Sequence, residues 1–183
     1  SKMTEAIQSY EPLVLGEQNL LDIEAIVVAN LCVSYVTTDQ NGLADTLINR
    51  LTDEEAQKEK EDSNAKLYHL SIIHLVIGTL YCAHKNFEFG IDYVFKAFNP
   101  MHSKLNADTW FYAKKCLFEI IRSISIRSYI IPDDTFDHIM KFLDEVDKNG
   151  KKIESIIDMT LNVEDAHEHQ TISFEARTIK SMF

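Results

Sequence analysis

The sequence predicts an all-α protein built from stacked helical hairpins. Only 5 Gly and 3 Pro occur in 183 residues, and the apolar residues come in runs of helix length. Two stretches repeat one pattern of apolar and small residues with the same internal spacing. With 45% hydrophobic residues, the chain is long enough to bury a substantial core.

The clearest copy of this pattern lies between residues 74 and 97. It has apolar, small and aromatic positions at fixed intervals on two successive helices: His74, Ile77, Gly78, Tyr81, Gly90 and Val94. This is the spacing of the tetratricopeptide repeat. A glycine inside a helix costs up to about 1 kcal/mol relative to alanine, so Gly78 and Gly90 predict a point where two helices cross closely.

A second copy precedes it in the chain. Its corresponding positions are Val28, Leu31, Cys32, Tyr35, Ala44 and Ile48. Tyr35 and Ala44 are nine residues apart, as are Tyr81 and Gly90 in the first copy. Ala6 and Tyr10 match only the second helix of a repeat, and a lone half hairpin cannot bury its apolar face. We therefore expect the chain to be the carboxy-terminal fragment of a longer array.

The predicted domain organisation has two parts. Residues 1–100 are expected to hold a half repeat and two repeats, stacked in a right-handed superhelix, with a charged insertion at residues 52–66. The insertion is interpreted as a solvated helical extension followed by a loop, with an acidic docking strip as the alternative. Residues 101–183 are expected to hold a degenerate repeat and C-terminal capping helices.

Helix ends are predicted from capping and stop residues. The helices expected in the C-terminal part span residues 109–124, 133–148, 153–159 and 173–183, with a polar linker at 162–170. Asn86 and Asp108 are the predicted N-caps of the helices that follow them. Gly150 is the predicted C-terminal stop of the helix that begins at residue 133.

The charge balance excludes several classes of partner. The chain carries 29 acidic and 18 basic residues, a net charge of −11, which repels phosphate backbones and anionic lipids. The most apolar run, residues 67–83, is shorter than the roughly 20 residues that cross a bilayer. We expect no nucleic-acid partner, no membrane insertion and no secretory leader.

Catalytic and metal-binding motifs are absent from the sequence. The five glycines never cluster, so no phosphate-binding or dinucleotide-binding loop is predicted, and no CxxC, HExxH or EF-hand loop occurs. His167 and His169 flank Glu168 but lack further ligands nearby, and are interpreted as part of a solvated linker. We expect no enzyme, no catalytic residue, no metal and no cofactor.

The three cysteines, Cys32, Cys82 and Cys116, are far apart in the sequence and lie in apolar helical stretches. A reduced thiol in such a stretch behaves as a small hydrophobic side chain. This usage indicates a reducing compartment of the cytosolic type.

The candidate partner-binding residues lie on the first helix of each clear repeat. In tetratricopeptide arrays this helix lines the concave groove, and its groove positions here are Ile26, Ala29, Val33, Val36, Ile72, Leu75, Thr79 and Cys82. Most are aliphatic and none is Lys or Arg. The expected ligand is therefore an extended apolar segment, unless neighbouring repeats cover this face or the superhelix closes on itself.

Several long stretches resemble a known family, the tetratricopeptide-repeat subunit of intraflagellar transport complex B, or tetratricopeptide repeat protein 30. They are AIQSYEPLV, AIVVANLCVSY, LYHLSIIHLVIGTLYCA, FEFGIDYV and LNADTWFYAKKC, with a weaker match in TISFEARTIKSMF. The resemblance extends from Glu5 to Phe183, and residues 125–131 and 151–168 depart from it. It implies a compact superhelix around an extended hydrophobic segment of another complex B subunit, in a cilium or flagellum (axoneme and basal body) and in the cytoplasm.

Three hypotheses of function follow. The leading one is a non-enzymatic scaffold for cilium assembly and transport along the axoneme. The alternative is a generic tetratricopeptide peptide-binding adaptor or co-chaperone-like module, which would need a basic clamp that neither clear repeat provides. The third is an enzyme with a site made of dispersed residues, or a modulator of tubulin modification.

Overall fold

The computed structural model describes residues 2–63, 65, 67–158 and 172–183, with the backbone alone for residues 108 and 153–158. Regular structure in these residues is helical, without a strand, and the predicted all-α class is confirmed. The α-helices are α1 (Lys2–Leu15), α2 (Ala25–Thr37), α3 (Asn41–Glu61), α4 (His69–Ala83), α5 (Phe87–Ala97), α6 (Met101–Lys104), α7 (Ala107–Arg127), α8 (Asp133–Asp158) and α9 (Ile172–Met182). A short 3-10 helix at Leu20–Asp22 joins α1 to α2.

The chain forms two compact units, Ser1–Ile77 and Gly78–Phe183, and the division falls inside α4. The division predicted at residue 100 is of another kind, because it separates the clear tetratricopeptide repeats from the degenerate repeat and capping helices. It stays a prediction. In the first unit, α2 packs against both α1 and α3. Its core contains side chains with no solvent exposure: Val14, Leu20, Val28, Ala29, Leu31, Cys32, Leu51 and Ile73.

The charged insertion is helical as far as residue 61, because α3 extends to Glu61. The prediction that it is solvated throughout is wrong at two carboxylates. Glu55 is only 5% exposed, and its Oε1 accepts a hydrogen bond from the N–H of Leu70 at 3.0 Å. Glu54 Oε2 accepts one from the N–H of Leu20 at 2.6 Å. Both N–H groups lie at helix starts, where they lack intrahelical acceptors and favour a negative charge.

The predicted close crossing of α4 and α5 is confirmed at Gly78 and Gly90. A Cβ atom built on Gly78 would lie 2.7 Å from the carbonyl oxygen of Gly90 and 2.7 Å from Val94 Cγ2. A Cβ on Gly90 would lie 2.6 Å from Cys82 Sγ. Asn86 holds the N-cap position of α5 as predicted, but its side chain makes no capping hydrogen bond.

The N-cap of α7 is Asn106, so the prediction of Asp108 is wrong by two residues. The backbone of Asn106 is extended, and its side chain accepts a hydrogen bond from the N–H of Thr109 at 2.9 Å. The Thr109 hydroxyl in turn accepts one from the N–H of Asn106 at 3.0 Å. This reciprocal capping box satisfies two donors at once.

Gly150 does not end α8, which runs on to Asp158 and takes in most of the short helix predicted at 153–159. Gly150 is buried, and a Cβ on it would lie 2.7 Å from Ser173 Oγ and 2.9 Å from the nitrogen of Ser173. The glycine therefore permits the close approach of α9 to α8, and these two helices pack against each other. The predicted linker at 162–170, with His167 and His169, lies outside the described residues.

The core of the second unit joins α5, α7, α8 and α9. Its side chains that are at most 2% exposed include Val94, Phe98, Trp110, Cys116, Leu117, Ile120, Ile139, Leu143, Val146 and Ala176. Phe142 stacks on Phe95 with ring centroids 4.3 Å apart and meets Phe98 edge to face at 5.3 Å. Among residues 2–63, 67–158 and 172–183, none of the helices combines the length and the apolar character that crossing a bilayer requires.

Candidate partner-binding site

The first set of predicted binding residues forms a stripe along α2. Ile26, Ala29, Val33 and Val36 are three or four residues apart, so they share one face of the helix. Ile26 is 49% exposed, and Val33 and Val36 are half-buried. Ala29 is fully buried, which places it beneath this surface. We call these four residues the α2 stripe.

A hydrogen bond on another face of α2 joins this helix to α1. Tyr35 is 2% exposed, and its hydroxyl donates a hydrogen bond to Glu11 Oε1 of α1 at 2.6 Å. Burial and this hydrogen bond raise the pKa of the Tyr35 phenol, so the group remains a neutral donor. Leu31, four residues before Tyr35, is fully buried. Helices α1 and α3 both pack against α2, and Ile26, Val33 and Val36 of the α2 stripe keep part of their apolar surface exposed.

The second predicted set lies on α4 and is less exposed. Ile72 and Thr79 are half-buried, whereas Leu75 is 3% and Cys82 2% exposed. The start of α4 is fixed by the hydrogen bond from Leu70 to Glu55 and by a contact of His69 Nε2 with the carbonyl oxygen of Ile23 at 2.7 Å.

Thr79 and Cys82 meet a cysteine of α7. The Cys116 thiol donates a hydrogen bond to Thr79 Oγ1 over 3.6 Å, and the Cys82 and Cys116 thiols are hydrogen-bonded to each other. That bond, together with burial, raises the pKa of the Cys82 thiol, which stays protonated. Two cysteines that are distant in the sequence are thus in contact, and both are free and buried.

The predicted site residues therefore play two different structural parts. Five of the eight keep solvent exposure: Ile26, Val33, Val36, Ile72 and Thr79. The other three, Ala29, Leu75 and Cys82, are buried within the chain itself. Neither α2 nor α4 contains Lys or Arg, so the exposed members offer apolar contact and not a clamp for a carboxylate.

Sequence reasoning missed an aromatic cluster at the α4–α5 hairpin. Tyr81 meets Phe89 edge to face, with ring centroids 4.8 Å apart, and Phe89 lies 5.1 Å from the ring of Tyr93. The Lys96 ammonium lies 5.1 Å from the Tyr93 ring centroid, and Phe89 is 46% exposed. The spacing of four residues between Phe89 and Tyr93 was the available signal, since it puts both rings on one helix face.

A cavity in the second unit has a volume of about 510 Å³. Its lining combines aromatic side chains with acidic and basic ones: Asp92, Phe95, Lys96, Phe98, His138, Lys141, Phe142 and Glu145. The described residues contain no group of three or more His, Cys, Asp or Glu side chains arranged to hold a metal ion.

The hairpins, their glycine crossing and the apolar first helices define a helical-repeat protein of the tetratricopeptide type. The whole chain, residues 1–183, matches the family described as Intraflagellar transport protein 70 C-terminal domain. The chain therefore belongs to this family, and the resemblance seen in the sequence is confirmed.

The curated relatives give the same family. The chain is 40% identical over 184 residues to Intraflagellar transport protein 70B of Rattus norvegicus and 41% identical over 184 residues to Intraflagellar transport protein 70A of Homo sapiens. It is 40% identical over 185 residues to Intraflagellar transport protein 70A of Danio rerio. Each alignment covers 100% of this chain and 28% of the relative, so the chain spans a little over a quarter of their length.

Proposed function

We propose that this chain is part of a non-enzymatic scaffold subunit of intraflagellar transport complex B. In this proposal the helical array holds an extended apolar segment of another complex B subunit. The assembly works in the cilium or flagellum, at the axoneme and basal body, and is also present in the cytoplasm. Membership of the Intraflagellar transport protein 70 family supports the transport role.

The observation that carries the scaffold proposal is the exposure of the α2 stripe. Ile26 leaves about half of its surface in solvent, although α2 packs against both α1 and α3. Val33 and Val36 continue this surface by about two and three helical turns. An extended apolar segment laid along the stripe would remove this area from water, at about 25 cal/mol per Å².

The α4 residues take a narrower part in the proposal. Ile72 and Thr79 are the exposed members of their set and are proposed to contact the partner segment. Ala29, Leu75 and Cys82 are proposed to shape this surface from below, because their side chains are buried. A substitution such as Leu75→Asp would put a carboxylate into the core, and would test folding rather than binding.

The test is copurification of the full-length protein with the other complex B subunits. Ile26→Asp and Val33→Asp each place a charge in the proposed interface and are expected to reduce recovery of the partner at least tenfold. Leu43→Asp is the matched control, because Leu43 is 46% exposed and lies on α3 near its N-terminus. It should leave recovery unchanged, and circular dichroism should show all three variants folded.

Normal complex assembly by folded Ile26→Asp and Val33→Asp proteins would remove the α2 stripe from the interface. Equal loss in all three variants would point to general insolubility and would also count against the stripe. The adaptor hypothesis makes a different prediction, since a generic clamp for a chain terminus would respond to substitution of a groove cation, and α2 and α4 contain none.

A further inference from the structure

A second exposed stripe runs along α7, on residues that the proposed function does not use. Phe111, Phe118 and Ile126 are 51%, 45% and 70% exposed, and Lys115 and Arg122 are exposed between them. Successive members are three or four residues apart, so all five lie on one face of α7 and extend over about 22 Å. We call these residues the α7 stripe.

The α7 stripe is basic in a chain of net charge −11. Helix α7 carries four basic side chains and two acidic ones: Lys114, Lys115, Arg122, Arg127, Asp108 and Glu119. No carboxylate lies among the five stripe residues themselves. This local reversal of charge sign favours an acidic partner and disfavours a second copy of this acidic chain.

Both cations of the α7 stripe, Lys115 and Arg122, remain accessible to a carboxylate of a partner. The Lys115 ammonium lies 5.2 Å from the Phe111 ring centroid and 5.9 Å from that of Tyr112. Arg122 Nη1 is 3.7 Å from Glu119 Oε2, but its side chain is 65% exposed, and Lys85 also contacts the Glu119 carboxylate. Lys115 is therefore held beside the Phe111 ring, and the side chains of both Lys115 and Arg122 remain exposed to solvent.

Lys114, which precedes Lys115 in α7, is by contrast already paired with a carboxylate of the same chain. Its ammonium is bound by both oxygens of Glu175, at 2.9 and 2.8 Å, and so it is already neutralised within the chain. Glu175 also accepts the indole N–H of Trp110 at 2.7 Å. The α7–α9 contact thus uses one basic residue of α7 and leaves the stripe cations outside it.

A shallow cavity adjoins the stripe between α7 and α9. It has a volume of about 200 Å³ and is lined by Lys114, Phe118, Phe174, Glu175, Thr178 and Ile179. Phe118 and Phe174 are 45% and 48% exposed at its edge. A cavity of this size accommodates one or two apolar side chains of a docked segment.

The spacing of the stripe fits a helix better than an extended strand. Phe111 and Phe118 are seven residues apart and Ile126 follows after eight, so an apolar anchor recurs about every two turns, and Lys115 and Arg122 are also seven residues apart. This heptad-like pattern matches the seam of two packed helices, in which charged flanking positions select oppositely charged positions on the partner.

We propose that the α7 stripe docks an acidic amphipathic α-helix of a partner protein, with apolar anchors on Phe111, Phe118 and Ile126 and carboxylates paired with Lys115 and Arg122. This inference goes beyond the scaffold proposal, because it concerns a different ligand class and different residues.

The experiment uses two fluorescein-labelled helical peptides of 21 residues with the full-length protein. Both carry leucine at the a and d positions of each heptad, one with glutamate and the other with lysine at the e and g positions. Anisotropy titrations at about 150 mM salt should show that Lys115→Glu/Arg122→Glu weakens binding of the glutamate peptide about tenfold and strengthens binding of the lysine peptide. Phe118→Ala should also weaken binding of the glutamate peptide.

Matched control variants distinguish an effect of the α7 stripe from an effect of the protein's net charge. Lys58→Glu/Lys60→Glu makes the same charge change at exposed positions of α3, and should leave both affinities within about twofold. Phe89→Ala removes a ring that is 46% exposed, against 45% for Phe118, and should have no effect on binding of the glutamate peptide.

The proposal is overturned if both charge variants change the two affinities equally, or if the glutamate peptide binds the wild-type protein no better than it binds Lys115→Glu/Arg122→Glu. Vesicles of phosphatidylserine and phosphatidylcholine provide a further arm. Vesicle binding that depends on Lys115 and Arg122, without discrimination between the peptides, would assign the stripe to an anionic lipid surface and would also overturn the proposal.

Discussion

The indole N–H of Trp110 donates a hydrogen bond to Oε2 of Glu175 over 2.7 Å, although 65 residues of chain separate them. Trp110 is 1% exposed, so its donor has no access to bulk water. Glu175 also binds the Lys114 ammonium. One carboxylate therefore satisfies a buried donor and a cation, and joins α9 to α7.

Glu175→Ala is expected to lower the free energy of unfolding by about 2 to 3 kcal/mol, because it leaves a buried N–H and a nearby cation without their acceptor. Glu175→Gln retains an acceptor for the indole and should lose less. Urea unfolding followed by the fluorescence of the single tryptophan measures both variants. Asp144→Ala, which removes the exposed partner of Lys180, should cost less than about 0.5 kcal/mol. Equal effects of Glu175→Ala and Asp144→Ala would contradict this account.

Gly78→Ala is expected to destabilise the protein by about 2 to 3 kcal/mol, because the new methyl group would meet the carbonyl oxygen of Gly90 at 2.7 Å and the backbone must shift. Gly42→Ala is the control, since nothing lies within 4 Å of a Cβ at that position in α3. It should stabilise the protein by about 0.5 kcal/mol, because alanine loses less backbone freedom on folding. Thermal unfolding by circular dichroism compares the two, and a tolerated Gly78→Ala would show that the crossing can open.

Glu55→Ala is expected to destabilise the protein by about 1 kcal/mol, because the N–H of Leu70 at the start of α4 loses its acceptor. Glu59→Ala removes an exposed carboxylate one turn further along α3 and should change stability by less than about 0.5 kcal/mol. Urea unfolding of both variants provides the measurement. If Glu59→Ala were the more destabilising, the capping role of Glu55 would be wrong.

Cys32 should make folding stability depend on alkaline pH. Burial raises the pKa of its thiol from an ordinary value near 9 to about 12. The contribution of the protonated Cys32 thiol to the free energy of unfolding is complete below pH 9 and is lost as the pH rises toward 12. Over this range the thiol of the unfolded protein releases its proton, whereas the thiol of the folded protein keeps it. The loss reaches about 4 kcal/mol at 1.36 kcal/mol per pKa unit.

Urea unfolding between pH 8 and 11 tests this, with Cys32→Ala as the comparison. Other groups titrate in this range, so the relevant quantity is the difference in slope between the two proteins. The wild-type protein should lose stability more steeply than Cys32→Ala. Parallel pH profiles would show that the Cys32 thiol is not protected by burial.

The sequence by itself determined the helical class, the family and the α4–α5 crossing. These features depend on local signals: the repeat spacing around Gly78 is a property of neighbouring residues, and a glycine within an apolar helix needs a packing reason. The position of the α2 stripe also follows from helical periodicity, since residues three and four apart share a face of the helix.

Only the tertiary structure decided which polar and small residues are structural. Gly150 has the sequence signature of a helix stop, but the close approach of Ser173 gives it a packing role inside α8. Glu55 belongs to a charged segment typical of a solvated helix, yet it caps α4. The burial of Leu75 depends on which elements fold against it. Local pattern sets which residues share a helix face, whereas long-range packing decides whether that face is covered, and so whether it can bind a partner.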